Sequence, residues 1–407
     1  MAKEDKKTQK TNSYKAADPV LFASSYADIV PYYGKLSEGE SVKVDLKNKH
    51  VIGWIANKII VKEYNMATGR AYSGKEFSVR LGIRDQSDTA LGTAVSTDAH
   101  TDTPVVYRLN GLNDIAWDGG YQRAELDRSG TRMKRAEDIV NHYGSGVWTW
   151  DFDWTVDNEV GLQNLLNLVY PENANGADSA SGFIIPASPV STTDLKHGGT
   201  GAVNATADIV IDNPLTAESR LMHGAILQNL TLAMDAGSEG GILKASGQFM
   251  SGYKPVLQDC DSIVTNSEST ASDFAKGLFD MTVHTVGGDD SSVKTFSITI
   301  SNPATRVGFQ GSSGETDGYS RAGMIDITGN IAIKADDNAM EHIDAWQSNS
   351  TVAIALNDGS NFLFSILNAN MSGHALDMAN EGMFVDIPFT VTSGADASAI
   401  PLTIKAT

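Results

Sequence analysis

Cysteine is almost absent from this chain: Cys260 is the only one in 407 residues. That excludes a disulfide scaffold and a thiolate-only zinc site. Basic residues are scarce as well, 31 Lys and Arg against 50 Asp and Glu, for a formal charge of −19. Such a balance argues against a protein that clamps nucleic acid by neutralising phosphates. No apolar run approaches the roughly 20 residues of a membrane-spanning helix, so a soluble chain without a membrane span is expected. Hydrophobic residues still make up 41% of the sequence, enough for a sizeable core. Length alone suggests about two or three domain-sized units.

The shortage of cations is uneven. Residues 1–200 hold 22 basic and 26 acidic groups, net −4, whereas residues 201–407 hold 9 and 24, net −15. A Lys-poor surface serves solubility, and it also avoids adhering to a polyanion. Met1 to Lys10 carries four lysines and nothing apolar beyond Met1 and Ala2, which is no secretory signal. Residues 1–15 read as a flexible arm, with synthesis in a cytoplasm. Residues 16–204 read as a mixed β/α part and 205–407 as a β-rich core.

The second half alternates with a period of two. Thr295 to Ser301 puts Phe296, Ile298 and Ile300 on one face and hydroxyls on the other. Met324 to Ile333 reads as a longer strand, bent or bulged at Gly329. Thr351–Leu356 and Asn361–Ile366 flank Asn357-Asp358-Gly359-Ser360, a hairpin signal. Gly224–Met234 and Ile242–Met250 form a second hairpin around the turn Asp235–Gly241. Asp208–Asp212 and Met383–Val391 complete the set, with Pro388 marking an edge or bulge. One helix is expected here, capped by Asp336, Asp337 or Asn338 and running to Gln347. In the first half, Ser41–Leu46, Val51–Tyr64 and Lys75–Ile83 read as strands. Thr131–Tyr143 and Val160–Tyr170 read as helices, the latter capped by Asp157 or Asn158 and closed by Pro171. Residues 172–206, rich in Ala, Ser, Gly and Thr, read as a long connecting loop.

Catalytic patterns are missing. No two of the eight histidines stand three to five residues apart, so the local metal signature is absent. There is no Gly-x-Ser-x-Gly elbow. Cys260 lies between Asp259 and Asp261, which disfavour a thiolate. His197-Gly198-Gly199-Thr200-Gly201 lacks the Lys of a phosphate loop and reads as a turn. Asp85–Asp88 and Asp98–Asp102 do not match a calcium loop. Trp148-Thr149-Trp150-Asp151-Phe152-Asp153-Trp154 is the most unusual segment: a sugar-stacking platform on one reading, core or interface on the other. The chain reads as a non-enzyme with no cofactor and no metal.

The run Leu221-Met222-His223-Gly224-Ala225-Ile226-Leu227-Gln228-Asn229-Leu230-Thr231-Leu232 resembles a strand of tailed-bacteriophage tail tube proteins. The turn Asp235–Gly241 and the return Leu243–Gly252 are similar too. So is the later order: Ile325–Ile333, the helix Asn338–Gln347, Thr351–Leu356, Asn361–Ile366 and Phe384–Val391, with Asn368-Ala369-Asn370-Met371. The resemblance covers about residues 205–400, with a looser match over 131–170, and residues 1–130 depart from it. It implies a mainly β protomer, a β-sandwich or partly open antiparallel barrel with a few short helices. Such protomers form hexameric rings stacked into a tube, with hairpins joining in an inter-subunit barrel. Genomic DNA passes through without specific binding. The implied partners are other copies of the chain, the tape measure, the terminator and the distal tail or baseplate, all in the virion tail. Under this reading Ile226, Leu230, Leu232 and Phe249 mark a hairpin at the subunit interface, and Asp235 and Glu239 are acidic lumen positions. The arm 1–15 would order against a neighbouring ring. Two alternatives stand beside it: a surface-exposed β-sandwich carbohydrate-binding module using Trp148–Trp154, and another β-rich virion protein such as a capsid or tail decoration protein.

Overall fold

The computed structural model describes residues 20–23, 43–46, 49–51, 54–55, 58–59, 77–85, 105–117, 121–125, 139–143, 146–169, 183–185, 205–212, 219–258, 275–308, 315–316, 318–321, 323, 325–360, 362–377, 384–392 and 402–406. The chain divides into two compact units, Met1–Ser73 and Gly74–Thr407. In the first, Val20–Ala23 pairs parallel with Lys43–Leu46, which turns back antiparallel onto Lys49–Val51. Trp54–Ile55 and Lys58–Ile59 form a small hairpin. The arm 1–15, the glycine cluster at 197–201, the segment 98–102 and Cys260 lie outside the described residues.

The second unit is mainly β, and its named strand pairs are antiparallel. Its largest sheet grows outward from the hairpin at 224–250. Strand β7 (Ser219–Asp235) pairs along its second half with β8 (Lys244–Ser251) on one side and β11 (Val293–Ser301) on the other. Beyond β8 lies β5 (Trp148–Thr155), and beyond β11 lie β12 (Asp326–Lys334) and β15 (Phe384–Val391). The order is β5–β8–β7–β11–β12–β15. A second layer contains β10 (Val283–Val286), β13 (Thr351–Asn357), β14 (Phe362–Met371) and β16 (Leu402–Ala406). Phe296 of β11 meets Phe364 of β14 at 5.1 Å between ring centroids, so the layers face each other across a shared core. The first half of β7 pairs with β6 (Ala205–Asp212), which pairs with β1 (Ser78–Asp85) and through it β2 (Val105–Tyr107). Traced strand to strand, these pairings branch but never return to their start. Among the described residues the fabric is therefore an open antiparallel sheet folded on itself, not a closed barrel.

The period of two explains the core. In β7, Leu230, Leu232 and Met234 are buried while Asn229, Thr231 and Ala233 face outward; in β11, Phe296, Ile298 and Ile300 do the same. Helix α1 (Glu159–Val169) is buried on almost every side, against β2, β6, β7 and β16. Asn158 caps it, its Oδ1 accepting from Gly161 N–H at 3.0 Å, while Asp157 accepts from the Trp154 indole at 3.1 Å. Gly161 is required there: a Cβ would lie 2.8 Å from the Trp154 ring. Buried on this helix, Gln163 needs an internal partner, and its side-chain amide donates to the Ala406 carbonyl at 2.5 Å. Helix α2 (Asp337–Gln347) starts at Asp336, whose side chain accepts from Ala339 N–H.

Three expectations need correction. The helix read at 131–143 is not helical at its end: Ile139–Tyr143 is a strand paired with Tyr121–Glu125. Two β-branched residues in a row, Ile139 and Val140, suit a strand once a partner supplies the ladder. The strand has no bulge at Gly329; its register runs unbroken from Asp326 to Ala332, and the irregularity sits at Val293/Thr295 instead. Glycine is needed because a Cβ there would fall 2.3 Å from the Phe389 ring and 2.6 Å from the Ser297 carbonyl. The loop read over 172–206 contains the strand Phe183–Ile185 and the start of β6.

Candidate functional site

Among the described residues no group of three His, Cys, Asp or Glu side chains converges in a way that would hold a metal ion. The feature with functional character is a surface, the outward face of the six-stranded sheet. Its side chains form straight rows across the strands, because each register is in phase. One row runs Asp153, Ser246, Thr231, Thr299, Thr328, Thr390. The next runs Asp151, Gln248, Asn229, Ser301, Asp326. At about 4.8 Å per strand, six strands make a band about 24 Å wide from first to last. The Thr231 and Thr299 hydroxyls bond to each other at 2.8 Å, and Gln248 donates to Asp151 at 2.7 Å.

These two rows contain no cation. Lys244, Lys294 and Lys334 lie at the end of the sheet where β7 terminates, and two of them are engaged there. Lys244 pairs with Glu239 at 3.0 Å, and the bond to that carboxylate raises the ammonium's pKa. The Lys294 ammonium sits 4.7 Å over the Phe384 ring. Asp386 adds a fourth acid on β15.

Both long edges of this sheet are covered by the same chain. Beside β5, strands β3 (Leu109–Gly111) and β4 (Ala116–Trp117) pair at its two ends. Between them Asn113 donates to the Asp151 carbonyl at 3.0 Å and accepts, through its own carbonyl, from the Trp150 indole. Beside β15, Ala375–Asp377 and the end of β14 pair, and Ser372 N–H donates to the Pro388 carbonyl at 2.8 Å. Pro388 thus stands in the gap between two short partners, where its missing N–H costs nothing.

The residues singled out from sequence fall in three places. Leu230, Leu232 and Phe249 are buried in the large core of the single chain. Ile226 belongs to a smaller cluster with Met250, Tyr253 and Tyr319. The burial of all four is thus accounted for within one subunit. Asp235 and Glu239 are exposed at the tip of the hairpin, Asp235 accepting from Gly237 N–H at 2.9 Å. They stand at the end of the sheet, not across its middle. Trp150, Phe152 and Trp154 point inward and are 2%, 4% and 0% exposed, so they form no sugar-stacking platform. Trp150 and Phe152 instead pack with Phe249, 5.6–5.9 Å between centroids.

Sequence reasoning missed the acids that do lie on the open face, Asp151, Asp153 and Asp326. The signal was present: in Trp148–Trp154 the acids occupy every second position between aromatics, and aromatics inward means carboxylates outward.

No helix among the described residues is long and apolar enough to cross a membrane. A protein-family model described as phage tail tube protein matches residues 66–400. That span takes in most of the second unit and begins well before the stretch whose pattern suggested the likeness. No curated protein matches the chain.

Proposed function

The chain belongs to the phage tail tube protein family, and from that premise we propose that it is the repeating subunit of a tube whose stacked rings form the channel for DNA delivery into the host. The rings are hexameric, and the tube ends meet other tail proteins: tape measure, terminator, and distal tail or baseplate. The subunit is made in the host cytoplasm and works in the virion.

The observation that carries this reading is the cation-free pair of hydroxyl and carboxylate rows on the open sheet face. That face lines the lumen. A duplex moving through a channel must not be held by it, and adsorption to DNA grows with each phosphate neutralised by Lys or Arg. The central rows offer none. Asp151, Asp153 and Asp326 repel the phosphates, and short Ser and Thr side chains keep the wall smooth. Asp235 and Glu239 stand at the end of the same face, together with Lys244, which pairs with Glu239. The open face needs no enzyme chemistry, in keeping with a structural protein.

The test is electron microscopy of the purified chain over a concentration series, with mass measurement, followed by DNA co-sedimentation. Wild-type protein should give rings or tubes with a central channel that retain no DNA. Thr299→Lys places one cation per subunit in the central row. Six per ring should create DNA retention that falls with salt at a log–log slope of about −5. A chain that forms no ring at any concentration overturns the tube reading. Thr299→Lys tubes that still ignore DNA would take the lumen off this face.

A further inference from the structure

Resting on the tube-subunit reading above, we propose that each subunit is a self-contained panel of the channel wall. Neighbours around a ring meet through the side chains of two capping segments, residues 109–117 and 372–377, and share no backbone ladder across the seam. This departs from the inter-subunit barrel that the resemblance implies. Its basis is the way the two edges of the six-stranded sheet are closed.

An edge strand can accept a neighbour's strand only while its outward N–H and C=O groups are free. Those of β5 are engaged along its length. Trp148 and Thr149 face Trp117 and Ala116 of β4, Asp153 and Trp154 face Gly111 and Leu109 of β3, and Asn113 serves the gap. The register shifts between Asp153 and Trp154, so Asn110 is an extra residue in the cap. Its side chain turns onto β5, donating to Asp153 at 3.1 Å and accepting from the Thr155 hydroxyl at 2.9 Å. The cap is anchored from below as well, because Leu109, Leu112 and Ile115 pack against the core. Asp114 is ion-paired with Arg220, in a stretch of β7 that is itself flanked by β6 and β9 (Val256–Gln258).

The β15 side is closed more firmly. At Phe389–Val391 the sheet does not end but continues through Ala369–Met371 of β14 to β13. Ala369 and Met371 are buried, so this pairing cannot be given up without opening the core. At Phe384–Asp386 the strand Ala375–Asp377 fills the edge. The link between these two partners is pinned. The His374 ring bonds with the Ala339 carbonyl of α2 at 3.1 Å, and a Cβ on Gly373 would lie 3.2 Å from the Pro388 ring.

The caps themselves offer strands of only two or three residues, too short to template another chain. They also carry little charge. Residues 109–117 contain only Asp114, already paired, and residues 372–377 contain only Asp377 beside His374. On a chain of net charge −19, such sides let copies approach with little mutual repulsion. With the open face turned to the lumen, these two sides are the ones that meet the neighbours around the ring.

The test uses the full chain with Cys260→Ser. Ala116 and Thr149 are directly opposed, so Ala116→Cys with Thr149→Cys can form a disulfide that fastens the cap to β5. Oxidised and reduced protein should form rings and tubes at the same concentration. If the oxidised form alone fails, the cap has to leave for a neighbour's strand, and the proposal is overturned. Should this pair not fold, Gly111→Cys with Asp153→Cys repeats the test at the other end of the cap. A second variant, Gly111→Cys with Ala375→Cys, marks the two sides. A side chain at Gly111 meets open space, and Ala375 is exposed. The two positions are about 34 Å apart across the sheet at about 4.8 Å per strand, too far for a short bismaleimide to join within one chain. Treated tubes should give a ladder of covalent oligomers that stops at six. No ladder, or one that runs past six, overturns the seam while leaving the tube reading intact. Wild-type protein that forms neither rings nor tubes removes the tube reading, and this inference falls with it.

Discussion

Adjacent residues on β7 should respond oppositely to the same substitution. Leu230 is fully buried, between Gly247 and Ile300 of the neighbouring strands. Truncation to Ala loses the transfer energy and leaves a cavity, together about 2–5 kcal/mol. Leu230→Asp adds the burial of a carboxylate, several kcal/mol more after relaxation. The sum, about 6–9 kcal/mol, is comparable with the roughly 5–15 kcal/mol that holds a domain folded. Thr231, one residue on, faces outward, and Thr231→Asp loses one hydroxyl pair with Thr299, about 1 kcal/mol. Urea unfolding followed by tryptophan fluorescence, with size-exclusion chromatography, separates the cases. Leu230→Asp should be unfolded or insoluble, Leu230→Ala folded with a clearly lowered midpoint, and Thr231→Asp folded with a midpoint near wild type. A Leu230→Asp chain that unfolds cooperatively at the wild-type midpoint, and merely fails to assemble, would refute the argument. It would show that Leu230 packs against another subunit instead.

Three further perturbations follow from the packing. Gly329→Ala should destabilise the subunit by at least about 2 kcal/mol by chemical denaturation, since its Cβ meets Phe389 and the Ser297 backbone, and Phe389→Leu should recover part of the loss. Tyr319→Phe leaves the buried Gly252 N–H without its acceptor and should cost about 2–3 kcal/mol, with faster amide exchange in the 304–321 hairpin. Burial lowers the His284 imidazole pKa, against a smaller opposing pull from a backbone hydrogen bond with Leu278. The fold therefore favours the neutral ring. Its contribution should be complete above about pH 6.5 and be lost as pH falls from there through the lower folded value. Melting temperatures of His284→Gln should show a flatter pH dependence over that window.

Local chemistry was enough for much of the architecture. Alternation located β7, β8, β11, β12, β13 and β14, because a half-buried strand must place apolar side chains at every second residue. Asp358-Gly359 announced its hairpin, and Asp336 and the pair Asp157-Asn158 announced helix starts, because turns and caps are built from neighbouring residues. The helix misread at 131–143 shows the limit. Ile139 and Val140 fit either period over so short a stretch, and only the partner at Tyr121–Glu125 decides.

The sequence by itself determined that this is a mainly β, cation-poor chain, since those properties are sums over residues or depend on near neighbours. Only the tertiary structure decided which residues share a face. β5 joins β8 across about ninety residues of chain, and that register sets Asp151 and Asp153 in line with Gln248, Ser246 and the threonines beyond. The same long-range pairings fill both edges of the hairpin at 224–250 from within the chain, turning Leu230, Leu232 and Phe249 into core. A period of two says that a strand has an inner and an outer side. Which side is inner, and what lies across from it, depends on strands brought together from distant parts of the chain, and no local pattern contains that information.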